Sequence, residues 1–266
     1  MNQSCFLSTV KVLSVFVITL INFTTMFAGN PMVIPIETAH NTLLLQTDTH
    51  NHLLMTYFGA KFTDANEYKL VSTQNNQHDE NGGIFNHAYT PAGTWNLLEP
   101  ALSISHADGN LSTELLYVSH KTEQADENVK TVSILLADPV YKTEVTLYFK
   151  TYFKEDVVEQ WSVIRNNEKG TLNMQKYASS NLNFIAKDYY LTHFHGSWGR
   201  EMKPEQTRLT HGIKTIDSKL GTRANLFEHP VFILSFDKPA TENDGKVLLG
   251  TLAWSGNFKM DFEVDA

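Results

Sequence analysis

Residues 141–166 read YKTEVTLYFKTYFKEDVVEQWSVIRN, the clearest alternation in the chain. Val145, Leu147 and Phe149 fall on one side and Lys142, Glu144 and Thr146 on the other. That is the period of two that a half-buried strand requires. Asp156 marks a turn, VVEQWSVIR returns as the next strand, and NNEKG from Asn166 to Gly170 marks the turn after it.

Working outward, the same grammar continues. Upstream, MVIPIET, TLLLQT and HLLMTYFG read as strands, with the polar stretch Asp48 to Asn51 between the second and third. Ser72 to Gly83, STQNNQHDENGG, reads as a long surface loop because Asn, Gln and Gly dominate it. AYTPAGTWNLLEPAL is interrupted by Pro91, Gly93 and Pro100, which rules out a regular ladder. The Asp108-Gly109 pair between alternating apolar positions predicts a hairpin. Downstream, LNMQKYASSNLNF, DYYLTHFHG, RLTHGIKTIDS, PVFILSF, KVLLGTLAWSGN and FKMDFEVD supply further strands. No capped segment carries apolar residues at helical spacing, so no helix is expected. A long run of strands without intervening helices predicts an all-β fold: a large antiparallel sandwich of two sheets, whose concave face can hold a ligand. The chain stops at Ala266 within the alternating run FKMDFEVDA, so the sequence reads as a fragment of a longer protein.

Residues 1–28 have a separate character. Lys11 precedes the apolar run VLSVFVITLINF, and MFA leads into Gly29-Asn30-Pro31. This reads as a secretory signal cleaved after Ala28, since the apolar run is shorter than the ~20 residues a spanning helix needs. A secreted or periplasmic address follows, with residues 29–266 as the mature domain and no membrane association. The only cysteine, Cys5, lies inside that signal. The mature chain thus has no disulfide, zinc-thiolate site or cysteine nucleophile, and its stability rests on core burial. The formal charge of -8 becomes -9 when Lys11 is removed. An acidic surface argues against nucleic acid, whose phosphates demand Lys and Arg.

The densest chemistry lies in THFHGSWGREMKP, Thr192 to Pro204. Trp198, Arg200 and Glu201 combine a flat apolar ring with charge, as sugar sites commonly do. The alternative is a buried core tryptophan beside a surface ion pair. His193 and His195 share one face of a strand, and Glu201 could complete a metal site with them. His50 and His52 repeat the spacing, but no HExxH-like pattern fixes ligand geometry. Structural hydrogen bonding or aromatic packing accounts for the histidines more simply, so no metal and no cofactor is expected. Glycoside hydrolysis needs two facing carboxylates, and spacing pairs none of Glu99, Glu155, Asp156, Glu159 and Glu201. Glu99 and Glu201 read as held by ion pairs, which lower a carboxyl pKa, the reverse of what a general acid needs. No catalytic residue is identified.

Five stretches in order carry a resemblance: LEPAL after AYTPAGTWN, YFKEDVVEQWSVIRN, HGSWGRE, GIKTIDSKLGTRANLFEHPVF and LAWSGNF. Across residues 32–264 the sequence resembles the N-terminal β-supersandwich of family 36 glycoside hydrolases, the retaining α-galactosidases. The resemblance implies a galactose mutarotase-like supersandwich followed, in the whole enzyme, by a (β/α)₈ barrel carrying both catalytic aspartates and by a small C-terminal β domain. It implies that this segment helps to shape a galactose pocket and contributes to subunit contacts in a homo-oligomer. The substrate would be a galactose-containing oligosaccharide of the raffinose type. Trp198 then becomes a substrate contact, with Arg200 and Glu201 positioning its loop. Two other readings stay open: a mutarotase-like enzyme using His193 or His195 with Glu201, and a structural oligomerisation module.

Overall fold

A computed structural model describes residues 31–71, 77–79, 82–223 and 226–265; the expected signal segment lies outside them. Its strands are β1 (Val33–Glu37), β2 (Asn41–Thr47), β3 (Leu53–Ala60), β4 (Gln77–Asp79), β5 (Gly82–Ile84), β6 (Leu102–Ser105), β7 (Leu116–Gln124), β8 (Val129–Ala137) and β9 (Thr143–Tyr152). They continue as β10 (Val157–Asn166), β11 (Asn173–Tyr177), β12 (Tyr189–His195), β13 (Lys203–Arg208), β14 (Gly212–Ser218), β15 (Glu228–Phe236), β16 (Lys246–Thr251) and β17 (Phe258–Val264). Two short 3₁₀ turns, Ala65–Leu70 and Gly221–Arg223, are the helical elements among the described residues. All strand pairings described are antiparallel.

The alternating stretch behaves as its pattern requires. Along β9, buried and half-buried positions alternate from end to end, and β9 sits between β8 and β10 in the ladder β10-β9-β8-β7. On the face away from the core, the Trp161 ring of β10 stacks on its cross-strand partner Tyr148 at 4.9 Å between centroids. Asp156 makes the expected turn with φ 55. Its carboxylate accepts the backbone N–H of His40 at 2.9 Å and meets His40 Nδ1 at 2.6 Å, tying the β9–β10 turn to the β1–β2 turn.

The sandwich is built around two apolar cores. One lies between the β1-β2-β3 sheet and the β7–β10 sheet, with Ile34, Ile36, Leu43, Leu45, Ile134, Leu147 and Phe149 in it. The second joins the β13-β12-β15-β16 sheet to the β14-β17 pair through Leu191, Ile216, Leu234 and Phe258. Phe184 packs against both, edge-on to Phe58 at 5.7 Å and tilted against Phe236 at 5.4 Å.

Three expectations are modified. The strands form several separate ladders rather than two continuous sheets. The Asp108-Gly109 turn forms, with Gly109 at φ 89, yet it joins no hairpin: β6 pairs with β11 and β7 with β8. The chain after that turn instead crosses to the irregular segment, where Thr113 N–H bonds Ala92 C=O at 3.1 Å. Within the expected loop Ser72 to Gly83, β4 and β5 pair as a short ribbon. Gly82 and Gly83 are buried there, and Gly83 exchanges backbone bonds with Trp95 and Leu97. The remainder of that loop, residues 72–76 and 80–81, lies outside the described residues.

Candidate functional site

The loop between β12 and β13 has the one fully presented aromatic ring among the described tryptophans: Trp198 is 90% exposed. Its shape follows from its glycines. A Cβ on Gly196 would lie 2.4 Å from Arg200 O and 2.9 Å from Glu201 Cα, so the two arms approach closely only with glycine there. Ser197 and Arg200 exchange backbone hydrogen bonds at 3.3 and 2.8 Å. Trp198 and Gly199 form the tip between them, Gly199 taking φ 73. The first arm is fastened to the strand region before β15 by Gly196 N–H donating to Phe227 C=O at 2.8 Å.

The structure brings Trp198, Arg200 and Glu201 onto one exposed loop, but Arg200 and Glu201 do not pair. Glu201 Oε1 accepts from Gly199 N–H at 2.8 Å, and that bond holds its carboxyl below the usual range. The expected direction of its pKa therefore stands while the cause is a backbone amide, not an ion pair. Glu99 does have an ion-pair partner, Lys176. Glu155 and Glu159 accept bonds from Asn128 and Tyr152 respectively. Each of these carboxylates thus has a hydrogen-bond or ion-pair partner.

His193 and His195 share a face of β12, as their spacing requires, with ring centroids 6.1 Å apart. Their carboxylate neighbours are Glu205 and Glu228, not Glu201. Glu205 on β13 stands directly across from His193 in register. Its oxygens lie 3.9 Å from His193 Nε2 and 3.7 Å from His195 Nε2. Glu228 on β15 lies 3.4 Å from His193 Nδ1. Of the two roles expected for His193, the ring contact with His195 is the one seen: its buried nitrogens face the two carboxylates without making a hydrogen bond. Cross-strand register creates this grouping, and no spacing along the chain announces it.

The second histidine pair belongs to a different arrangement. Ligand atoms of Asp48, His50 and His52 lie within 4.8 Å of one another. Asp48 already accepts the backbone N–H groups of His50 and His52 at 2.8 and 2.9 Å. His52 spans two carboxylates, Asp48 at 3.0 Å and Glu114 at 3.1 Å, so both its nitrogens donate. Burial pushes this imidazole down, and the bonds to Asp48 and Glu114 more than reverse it, leaving its pKa above the ordinary value. Both ring nitrogens of His52 are thus already engaged by carboxylates. Beside it, at 5.2 Å between centroids, burial and the His52 charge drive buried His87 down to about 4.

A 27% identical relative over 259 residues is the bifunctional α-galactosidase/sucrose kinase AgaSK of Mediterraneibacter gnavus, matched over 89% of this chain and 28% of its own length. The solved galactosidase domain of an AgaSK superposes with TM-score 0.78 at 25% identity, covering 88% of this chain and 35% of that one. The family 36 α-galactosidase AgaA of Geobacillus stearothermophilus, solved with raffinose, shares the fold at TM-score 0.78 and 21% identity, over 88% of this chain and 36% of that one. The chain thus spans about a third or less of the proteins it matches. The model of the glycosyl hydrolase family 36 N-terminal domain matches residues 51–266, and the chain belongs to that family.

Proposed function

We propose that this chain is the N-terminal domain of a secreted, retaining α-galactosidase that removes terminal α-linked galactose from oligosaccharides of the raffinose type. The observation that carries this reading is the family match over residues 51–266, in company with relatives named as α-galactosidases. In this reading the reacting aspartates belong to a barrel in the full-length chain, and the domain contributes pocket wall and subunit contacts in a homo-oligomer. The carboxylates singled out in the sequence, each held by a hydrogen bond or ion pair, are consistent with chemistry located elsewhere. The test compares two proteins. The full-length enzyme should release nitrophenol from a nitrophenyl α-galactoside, whereas the purified 266-residue chain should release none; turnover by the chain alone would overturn the reading.

Within that enzyme, Trp198 is the sugar contact and Glu201 fixes the loop that presents it. A ring 90% exposed at the tip of a tight turn contributes nothing to the core beneath it, yet it offers a whole face to a pyranose. Trp198→Ala in the full-length enzyme is expected to raise KM about tenfold, the equivalent of ~1.4 kcal/mol, with kcat little changed. A shift in oligomer mass with KM untouched would instead make the loop an assembly contact.

A further inference from the structure

We propose that the mouth of the first core is a second saccharide-binding site, which holds one pyranose ring of a neutral sugar apart from the Trp198 loop. The sheet that closes this core changes character at its last row. Along β8 and β9 the paired core-facing positions run Leu136–Val145, Ile134–Leu147 and Val132–Phe149, all buried and apolar. The next pair is Lys130–Thr151, with Gln124 of β7 beside Lys130. These three polar side chains, with Glu37 at the end of β1, Glu127 in the β7–β8 turn and Phe153 in the β9–β10 turn, line an open cleft of about 230 Å³. Drug-sized ligands occupy roughly 300–1,000 Å³, so the cleft takes one ring rather than a whole oligosaccharide.

The groups left free in the cleft select the ligand. Neither the Glu127 carboxylate nor the Lys130 ammonium has a partner among the described residues. Glu37 is approached at Oε1 by Tyr68 Oη at 2.7 Å and by Lys61 Nζ at 3.6 Å, and its Oε2 has no such partner. An anion would meet two carboxylates here, and a cation would meet Lys130 and Lys61. A sugar hydroxyl avoids both penalties, because it donates to a carboxylate and accepts from an ammonium at the same time. Phe153, 39% exposed, offers its ring to the C–H face of a pyranose, and Lys61 braces that ring from 4.8 Å.

The walls are set before any ligand arrives. Asp126 Oδ1 accepts the N–H groups of Asn128 and Val129 at 2.7 and 2.8 Å, which shapes the β7–β8 turn. Asn128 ties that turn to the β9–β10 turn, donating to Glu155 and accepting from Lys154 N–H, both at 2.7 Å. Phe153 C=O accepts from Ala39 N–H at 2.9 Å and so fastens the β1–β2 turn to the same rim. A site built this way loses little binding free energy to the ordering of its loops.

The test is a titration of the purified, isotope-labelled chain with galactose and with raffinose, followed by amide NMR, with glycerol as the control for unspecific polyol effects. Amides of residues 124–130 and 151–153 should shift to saturation, with a Kd on the order of 1 mM for a single ring. Glu127→Gln and Lys130→Met replace side chains without partners among the described residues, so both variants stay folded. Each should weaken binding about tenfold, the loss of one charge-assisted hydrogen bond. Trp198→Ala should leave these shifts unchanged. Absence of saturable binding overturns the proposal, as do shifts reproduced by glycerol, binding that persists unweakened in both variants, or binding lost in Trp198→Ala. An active full-length enzyme whose isolated chain binds no sugar would end this inference and leave the proposed function standing.

Discussion

Phe149→Ala should destabilise the chain by about 4 kcal/mol, the range for removing a fully buried phenylalanine from a packed core. Phe149 is 1% exposed, on a central strand, with Gln160 and Val132 as its cross-strand partners. Its ring fills the space between the β1-β2-β3 sheet and the β7–β10 sheet, and a Cβ alone leaves a cavity that two stiff sheets cannot collapse into. Since a domain's total stability is on the order of 5–15 kcal/mol, the loss removes a large share of it. Urea unfolding followed by circular dichroism measures it through the midpoint at constant slope. Phe149→Leu, which keeps most of the volume, should cost only about 1 kcal/mol. Trp198→Ala on the same chain should move the midpoint hardly at all, because the 90% exposed ring has little apolar contact to lose. Equal shifts for Phe149→Ala and Trp198→Ala would refute the assignment of the first core.

The second large effect is a loss of stability with acid that belongs to His87. Its pKa is depressed from 6.5 to about 4 by burial first and by the neighbouring His52 charge second. A depressed histidine costs the folded state nothing above pH 6.5, where both states hold it neutral. As pH falls from 6.5 toward 4, the unfolded chain takes up the proton and the folded chain does not, so stability drops by about 3 kcal/mol in all. His52 has the opposite sign, because its pKa is raised. Its contribution is complete below pH 6.5 and fades only as pH rises through its folded value, so it adds no slope in the acid window. Urea midpoints measured from pH 7 to pH 4 should therefore slope steeply for the native chain and distinctly less for His87→Leu. Parallel profiles for the two proteins would assign the acid loss to the carboxylates instead.

Much of this molecule is legible along the chain. Alternation over residues 141–166 gives β9 and β10 almost to the residue, because a strand with one buried face writes its period directly into side-chain polarity. The position of Asp156 in the turn is equally local: a short polar side chain tolerates a left-handed φ and can bond nearby backbone. Trp198, Arg200 and Glu201 share a loop because they are neighbours in sequence between two glycines. The motifs in order also carried the family.

What the chain order does not carry is partnership across ladders. Asp108-Gly109 has the local chemistry of a hairpin, but whether β6 pairs with β7 or β11 depends on which distant strand offers a matching apolar face. Arg200 and Glu201 stand side by side, yet Glu201 bonds the amide of Gly199, because a backbone N–H fixed by the turn lies nearer than a flexible guanidinium. His193 meets Glu205 directly across the β12–β13 ladder and Glu228 beside an irregularity in the β12–β15 ladder, and a slip of one residue would turn Glu205 to the other face. Sequence alone therefore determined the strand content, the grouping of Trp198, Arg200 and Glu201 on one loop, and the family, all of which rest on local pattern. Tertiary structure alone decided the two cores, the buried His87 beside a carboxylate-flanked His52, and the exposure of Trp198, because burial and charge arise only when segments far apart in the chain are brought together.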